Sequence, residues 1–379
     1  MSSFLPAELS QIEAFHHSLL NSQNPAETQQ IETALTTFPS LATLQNPASG
    51  ISPLMIAADR GSLPLTTLLI NMGAPWNALD RFGKCAGDYA VKNSHQHVVD
   101  YLVKIGTRCE MILGASFRLN KASLPPSVID SGESSNVSMQ PCTKPEYLKR
   151  TVKYEGNTLF DDENDAVMME WERPLMEAHA SIITDTMDPS TTTITKTKTV
   201  LNVGFGMGIV DNYLQSKSNV AAHYICEAHP DVYRKMIADG WDKKPNVTIL
   251  FGRWQDVLTN DMNVKFDGVF FDTYGEHHTD LEDFHSLLPK ILNENSIYSF
   301  FNGICPDNLF FHGVACNVVK LQLEELGFEC QFYPCDIQID NEAWKNVRRK
   351  YWSFDVYYLP VCKYVNAIVE PSASKKNRF

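Results

Sequence analysis

Three alternating glycines and a distant acid are the residues of this sequence best suited to hold a ligand. An apolar strand pattern ends in Gly204, Gly206 and Gly208, after which a helical pattern begins. Glycines at such a turn let a ligand approach the bare backbone, and the helix N-terminus behind them favours polar or anionic groups. A second predicted strand ends in Glu227, 21 residues after Gly206. A carboxylate there can accept hydrogen bonds from both hydroxyls of a ribose. Together they predict an adenosine-binding site.

The spacing of the glycines favours S-adenosylmethionine over a dinucleotide as the ligand. In the dinucleotide fingerprint a third glycine follows the second by three residues, so that the helix can pack closely on the strand. That position here holds Ile209, a bulky β-branched residue. A nicotinamide-dependent oxidoreductase is therefore a distant alternative.

Two more acids could act on a substrate beside that ligand. The predicted strand 266–272 ends in Asp272, and Glu172 lies four residues after Met168 and four before Met176. At helical spacing Met168, Glu172 and Met176 share one face. One acid between two methionines suggests the wall of a cleft. An ordinary ion pair between Glu172 and a nearby arginine is the alternative, since surface acids are often paired in this way.

The elements that position these residues alternate between strands and helices from Val200 onward. Strands are predicted at 200–204, 222–227, 247–251, 266–272, 296–301, 329–335 and 351–358. This alternation is typical of an α/β fold with a mostly parallel sheet and helices on both faces. Ligands bind such sheets at the carboxyl ends of the strands. The glycine turn, Glu227, Trp254 and Asp272 all lie at those ends.

The first 107 residues predict a small all-α domain. Gly50 and Gly83 begin two similar segments 33 residues apart, each a turn followed by helices. That period resembles ankyrin repeats, which bury their faces by stacking and usually bind another protein through the exposed surface. Two further helices, near 6–20 and 26–37, cap the array or form a divergent first repeat. The repeats either bind a partner or buttress the remaining chain.

The segment 108–145 is rich in Ser, Pro and Asn, which indicates a linker. The predicted organisation is therefore a repeat domain at 1–107, a linker at 108–145 and a catalytic domain at 146–379. A second polar stretch, 185–199, predicts an exposed, mobile loop within the catalytic domain.

Composition excludes several classes of function. The chain has 379 residues and a formal net charge of −13, which argues against direct nucleic-acid binding and is compatible with a basic protein substrate. No apolar run approaches the 18 or so residues of a membrane span. Nine cysteines without CxxC pairs suggest a reducing intracellular compartment and no metal site. The basic run 345–350 predicts a solvated helix face.

The segments 167–176, 203–207 and 266–274 closely resemble guanidinoacetate methyltransferase. With ankyrin-like repeats ahead of them, the chain resembles the fungal protein arginine N-methyltransferase 2 family, the type IV enzymes. The resemblance covers roughly residues 146–360 and implies a Rossmann-like class I methyltransferase fold. It also implies transfer of a methyl group from S-adenosyl-L-methionine to the delta (N5) nitrogen of arginine in a ribosomal protein. A monomer in the cytoplasm and nucleus is expected.

The resemblance also assigns residues to roles. Glu172 and Asp272 would grip the guanidino group, and our own hypothesis from the chemistry of a guanidinium is that Asp272 accepts the proton and orients the group while Glu172 clamps it. The cofactor contacts implied are Tyr147, Met168, Met176, Phe205, Gly206, Met207, Gly208, Ile209, Val210, Glu227, Ala228, His229, Trp254 and Gln255. One departure is visible: Gly275 follows the Asp-Thr-Tyr motif where the small-molecule enzyme has proline. That difference favours a polypeptide substrate; a small guanidino metabolite such as guanidinoacetate is the alternative, and a scaffold with a vestigial cofactor fold is a third.

Overall fold

The computed structural model describes residues 6–21, 25–123, 144–185, 197–259, 262–275 and 278–365. Two compact units are present: Met1–Ser134 with Asn308–Val318, and Ser135–Asp307 with Val319–Phe379. Most of the predicted loop at 185–199 lies outside the described residues. Within the described ranges, no helix has both the length and the apolar character that crossing a membrane requires.

The first unit is helical. Its helices are α1 Pro6–Asn21, α2 Pro25–Thr37, α3 Pro53–Asp59, α4 Leu63–Asn71, α5 Ala86–Lys92 and α6 Gln96–Ser123, with a 3-10 helix at Pro39–Thr43. Helices α3 and α4 pack together, as do α5 and α6. Gly50 and Gly83 both have positive φ at the turns before α3 and α5, which is the repeated feature that the 33-residue period predicted. Helix α6 continues through the first part of the segment predicted as a linker.

The second unit contains two sheets. The smaller is antiparallel, with strands β1 Lys153–Glu155, β2 Thr158–Phe160 and β3 Ala166–Met169. The larger has β4 Lys198–Val203, β5 Val220–Glu227, β6 Val247–Phe251, β7 Phe266–Phe271, β8 Leu292–Phe300, β9 Phe328–Asp336 and β10 Val356–Tyr364. Its order is β6-β5-β4-β7-β8-β10-β9. The first five are parallel, and β10 runs antiparallel to both neighbours.

Helices cover both faces of the large sheet. The helices described in this part of the chain are α7 Lys144–Tyr147, α8 Arg173–Thr184, α9 Ile209–Ser216, α10 Pro230–Ala238, α11 Trp254–Val257, α12 His278–Ile291 and α13 Leu309–Glu325, whose first part groups with the helical unit. Val200 packs in one hydrophobic core with Leu214 of α9, whereas Leu201 packs in another with Phe284 of α12. Because successive strand residues point to opposite faces, the two cores lie on opposite sides of the sheet. The predicted α/β fold is confirmed.

The helix expected around Glu172 and the predicted start of the last strand differ in the structure. Met168 and Met176 do not share a helix. Met168 lies in strand β3, Glu172 is the last residue of a 3-10 helix at Glu170–Glu172, and Met176 lies in α8. The methionine spacing suggested a single helix, but the pairing of β3 with β2 keeps Met168 extended. The last strand begins at Val356, later than the predicted 351, because the preceding residues form an irregular segment.

Candidate active site

Parallel pairing brings the glycine turn and Asp272 together. Val203 pairs with Cys226 on one side and with Phe271 on the other, so the residues that follow all three strands meet at one edge. The switch in strand order between β4 and β7 opens a crevice at that edge. Gly204 has φ +100, and a Cβ there would lie 1.8 Å from the carbonyl oxygen of Asp272. Only glycine fits at this position.

Glu227 binds the glycine turn through its carboxylate. Oε2 accepts a hydrogen bond from the Phe205 N–H at 2.9 Å, and Oε1 accepts one from the His229 N–H at 2.6 Å. Burial raises the pKa of Glu227 above its ordinary value, against the opposing effect of these backbone donors. The carboxylate is therefore fixed beside the turn, where a ribose could use the lone pairs that remain.

These residues border a cavity of about 430 Å³, a size typical of small-molecule sites. Of the predicted site residues, those that line it are Tyr147, Met168, Glu172, Gly206, Glu227, Ala228, Trp254 and Asp272. The two acids that lie 100 positions apart in the sequence thus reach one cavity. Among the described residues, no cluster of His, Cys, Asp or Glu is arranged to hold a metal ion.

Eight other predicted contacts lie outside the lining: Met176, Phe205, Met207, Gly208, Ile209, Val210, His229 and Gln255. Several of them pack against or hydrogen-bond to residues that line the cavity. Met176 and Val210 are buried in the core on the α8 side, and the Met207 N–H donates to Sδ of Met168 at 3.3 Å. The role of these residues as cofactor contacts stays a prediction.

The environment of Asp272 and Glu172 opposes their ionisation. Among the described residues nothing donates a hydrogen bond to Oδ2 of Asp272, which is buried. Burial raises the pKa of Asp272. Burial and the charge of Asp272 together raise the pKa of Glu172, against hydrogen bonds from Tyr351 and Met169. Two carboxyls that make no ion pair with the described residues lie at one cavity, which suits a positively charged ligand.

Aromatic rings surround the cavity beside these acids. The Tyr147 ring lies 4.9 Å from the rings of both His229 and Tyr274. The Tyr154 hydroxyl donates to the carbonyl of Gly206 at 2.9 Å. The Tyr274 hydroxyl donates to Asp161 at 3.1 Å. These bonds connect the glycine turn and the residues after Asp272 to the segment that precedes the sheet.

The segment before β10, predicted as a solvated helix face, instead lines the cavity. Residues 345–350 contain no helix, and Arg349, Lys350 and Tyr351 all reach the lining. Burial opposes ionisation of Asp165, but hydrogen bonds and charges from Arg348 and Arg349 outweigh it and lower its pKa to about 2. Nothing in the local sequence indicated these partners, which lie more than 180 positions from Asp165.

Comparison with known proteins gives two family matches. Residues 142–302 match the family described as guanidinoacetate N-methyltransferase, and residues 19–111 match ankyrin repeats in three copies. The chain is 32% identical over 404 residues to protein arginine N-methyltransferase 2 of Saccharomyces cerevisiae, covering 95% of this chain and 92% of that protein. It is also 32% identical to the Candida glabrata protein of the same name, covering 79% and 78%.

The relative of that name in Yarrowia lipolytica is 40% identical over 228 residues, a match that spans 58% of this chain and about half, 47%, of the relative. Among solved structures, spermidine synthase in complex with the transition-state analogue AdoDATO matches at 14% identity and a TM-score of 0.38. That match covers 56% of this chain and 71% of the other.

Proposed function

Because the chain belongs to the protein arginine N-methyltransferase 2 family, we propose that it transfers a methyl group from S-adenosyl-L-methionine to an arginine side chain of a protein substrate. The delta (N5) nitrogen of arginine in a ribosomal protein is the proposed target. One observation carries the proposal: two acids reach the cavity beside the glycine turn, Glu172, which is buried, and Asp272, whose buried Oδ2 has no partner among the described residues. A guanidinium is a planar cation with five N–H donors, and two carboxylates can hold it.

The residues around the glycine turn fit S-adenosylmethionine. Gly204 and Gly206 let the turn pass close to the Asp272 backbone and to Met168, where an added Cβ would collide, and Glu227 is fixed where ribose hydroxyls could meet it. Met168 and Trp254 would add apolar contacts for the methionine part and the adenine. When bound, S-adenosylmethionine supplies the methyl group of its sulfonium and is left as S-adenosylhomocysteine.

Asp272 and Glu172 would perform the remaining chemistry on the substrate. The guanidinium is a poor nucleophile because its pKa exceeds 12 and it has no free lone pair. Glu172 would clamp one edge of the guanidinium and hold the attacking nitrogen in position. Asp272 would orient the other edge and accept the proton that this nitrogen loses as its bond to the methyl carbon forms. The products are methylarginine, S-adenosylhomocysteine and a proton.

The partners and location of the protein are part of the same proposal. A net charge of −13 suits a basic substrate such as a ribosomal protein. The ankyrin-like unit would bind a protein partner or support the catalytic unit. We expect a monomer in the cytoplasm and nucleus. An enzyme for a small guanidino metabolite is the alternative, supported by the family match over residues 142–302.

Labelled S-adenosylmethionine tests the two functions together. The full chain is incubated with it and either a ribosomal protein fraction or guanidinoacetate. We expect label in protein, and fragmentation of the methylated peptide should place the methyl group on N5 of arginine. Label in guanidinoacetate alone would establish the alternative, and label in neither would overturn the proposed activity.

A further inference from the structure

The hydroxyl of Tyr351 donates a hydrogen bond to Oε1 of Glu172. The same oxygen accepts the N–H of Met169 at 2.9 Å. Both lone pairs of Oε1 are thereby used. No described residue makes a hydrogen bond to Oε2, and Glu172 and Tyr351 both line the cavity. The two oxygens of this carboxylate therefore differ: one is anchored to the protein, and the other is available to a ligand.

The fold fixes the position of Tyr351. Its ring lies 5.1 Å from Trp344 and 5.8 Å from Trp171, the residue before Glu172. On its N-terminal side, Nε of Arg348 donates to Asp165 at 3.0 Å. Trp352, the next residue, is completely buried in a further hydrophobic cluster. The tyrosine thus has little freedom to turn away from the carboxylate.

We propose that Tyr351 is a positioning residue for methyl transfer: its hydroxyl holds Oε1 of Glu172 so that Oε2 meets the guanidinium of the substrate. The proposal rests on the proposed function for its role in catalysis. The hydrogen bond between Tyr351 and Glu172 also predicts a property of Glu172, its pKa, that can be measured without any enzyme activity.

That prediction concerns the protonation of Glu172. A hydroxyl donor stabilises the ionised carboxylate and opposes the effects of burial and of Asp272. The other charged groups at the cavity are Asp165, Glu227, Arg349 and Lys350. Arg349 already donates to Asp165 at 3.3 Å. Removing the Tyr351 hydroxyl should raise the pKa of Glu172 by about one pH unit, the usual strength of a hydrogen bond to a charged group.

The first measurement is a carboxyl-carbon NMR titration of the full chain labelled at the glutamate side-chain carboxyl, without any ligand. The Glu172→Gln spectrum identifies the resonance. We expect the Glu172 midpoint to rise by about one pH unit in Tyr351→Phe. Tyr333→Phe is the control, because Tyr333 is exposed on β9 and its hydroxyl bonds only locally to Gln331. An unchanged midpoint in Tyr351→Phe would overturn the proposal whether or not the enzyme is active.

The second measurement links the hydroxyl to ligand binding. Methylguanidine, the end of an arginine side chain, is titrated into the wild type and both variants in the presence of S-adenosylhomocysteine. We expect about tenfold weaker binding to Tyr351→Phe at pH 7, recovering toward the wild-type value as pH rises and Glu172 ionises. Equal binding by Tyr351→Phe and the wild type at pH 7, or a loss that is the same at every pH, would contradict the positioning role. If methylguanidine binds none of the proteins, the proposed function fails, and the NMR titration still decides the role of Tyr351.

Discussion

Replacing Asp272 by asparagine should stabilise the ligand-free protein above neutral pH, although it removes the proposed proton acceptor. Burial raises the pKa of Asp272, and burial with the charge of Asp272 raises that of Glu172. In the unfolded chain both carboxyls ionise near pH 4. Between that pH and their higher pKa in the folded state, the folded protein binds more protons than the unfolded chain does. The free energy of unfolding therefore falls as pH rises through this window.

The size of the effect follows from the pKa of the folded state. Each unit by which a carboxyl pKa exceeds its unfolded value costs about 1.4 kcal/mol once the group is ionised. For a carboxyl whose pKa burial raises, as it does at Asp272, this cost at high pH is on the order of 3 kcal/mol. The Asp272→Asn substitution removes this cost and also the repulsion that raises the pKa of Glu172. Exposed substitutions usually change stability by less than about 0.5 kcal/mol, so the gain is measurable.

Urea unfolding of the full chain at several pH values measures this gain. We expect Asp272→Asn to exceed the wild type in free energy of unfolding by an amount that grows between pH 5 and pH 9 and reaches about 3 kcal/mol. Asp242→Asn, at an exposed position on the 3-10 helix Trp241–Lys243, is the control and should follow the wild type. Methyl transfer should be abolished in Asp272→Asn while S-adenosylhomocysteine still binds. A variant less stable than the wild type at pH 9, or a difference independent of pH, would refute the reasoning.

Three further substitutions test the walls of the cavity. Gly204→Ala should lower the free energy of unfolding by about 3 kcal/mol or more, because the new Cβ would collide with the backbone carbonyl of Asp272. Gly83→Ala is the control: Gly83 also has positive φ, but it faces open space, so this substitution should cost only about 1–2 kcal/mol in the same unfolding assay. Glu227→Gln should weaken S-adenosylhomocysteine binding by calorimetry at least about tenfold, since a carboxylate that accepts two backbone N–H groups is lost. Asp165→Asn should lower transfer to protein by up to about fivefold, the range expected for a partly exposed ion pair. The rate of this variant should also depend less on salt than the wild-type rate, because the ion pair between Asp165 and Arg349 is lost.

Those parts of the site that are brought together by strand pairing alone could be predicted from the sequence. Strand ends in a parallel sheet meet at one edge, so Glu227 and Asp272 could be placed beside the glycine turn without coordinates. Glu172 reached the predicted cavity, although the helix expected from its spacing with Met168 does not exist. Its position depends on strand β3 and on the start of α8 at Arg173. Periodicity over nine residues could not separate a helix from a strand followed by a helix start.

Long-range contacts of irregular segments could not be predicted in this way. Tyr351 contacts Glu172 across 179 positions, and no periodic pattern leads into that segment. The basic residues before it suggested solvent exposure, because charged runs usually remain hydrated. Similarly, Asn308–Val318 groups with the helical unit although it lies within the predicted catalytic domain. The domain boundaries at 107 and 145 stay a prediction.

Three of the four acids that line the cavity show how the same chemical group acquires different roles. Asp165 has Arg348 and Arg349 as partners, so it is ionised and already neutralised within the fold. Glu172 and Asp272 make no ion pair with any described residue, so burial of their carboxyl groups holds their pKa values high. A guanidinium that enters the cavity would gain little binding free energy from Asp165, because the charge of Asp165 is already neutralised by Arg348 and Arg349. It would gain most between the other two acids, because its charge lowers both of their pKa values and supplies the donors that Oδ2 of Asp272 lacks. Binding should therefore release protons from the protein at neutral pH, and the number released should fall when either acid is replaced by its amide.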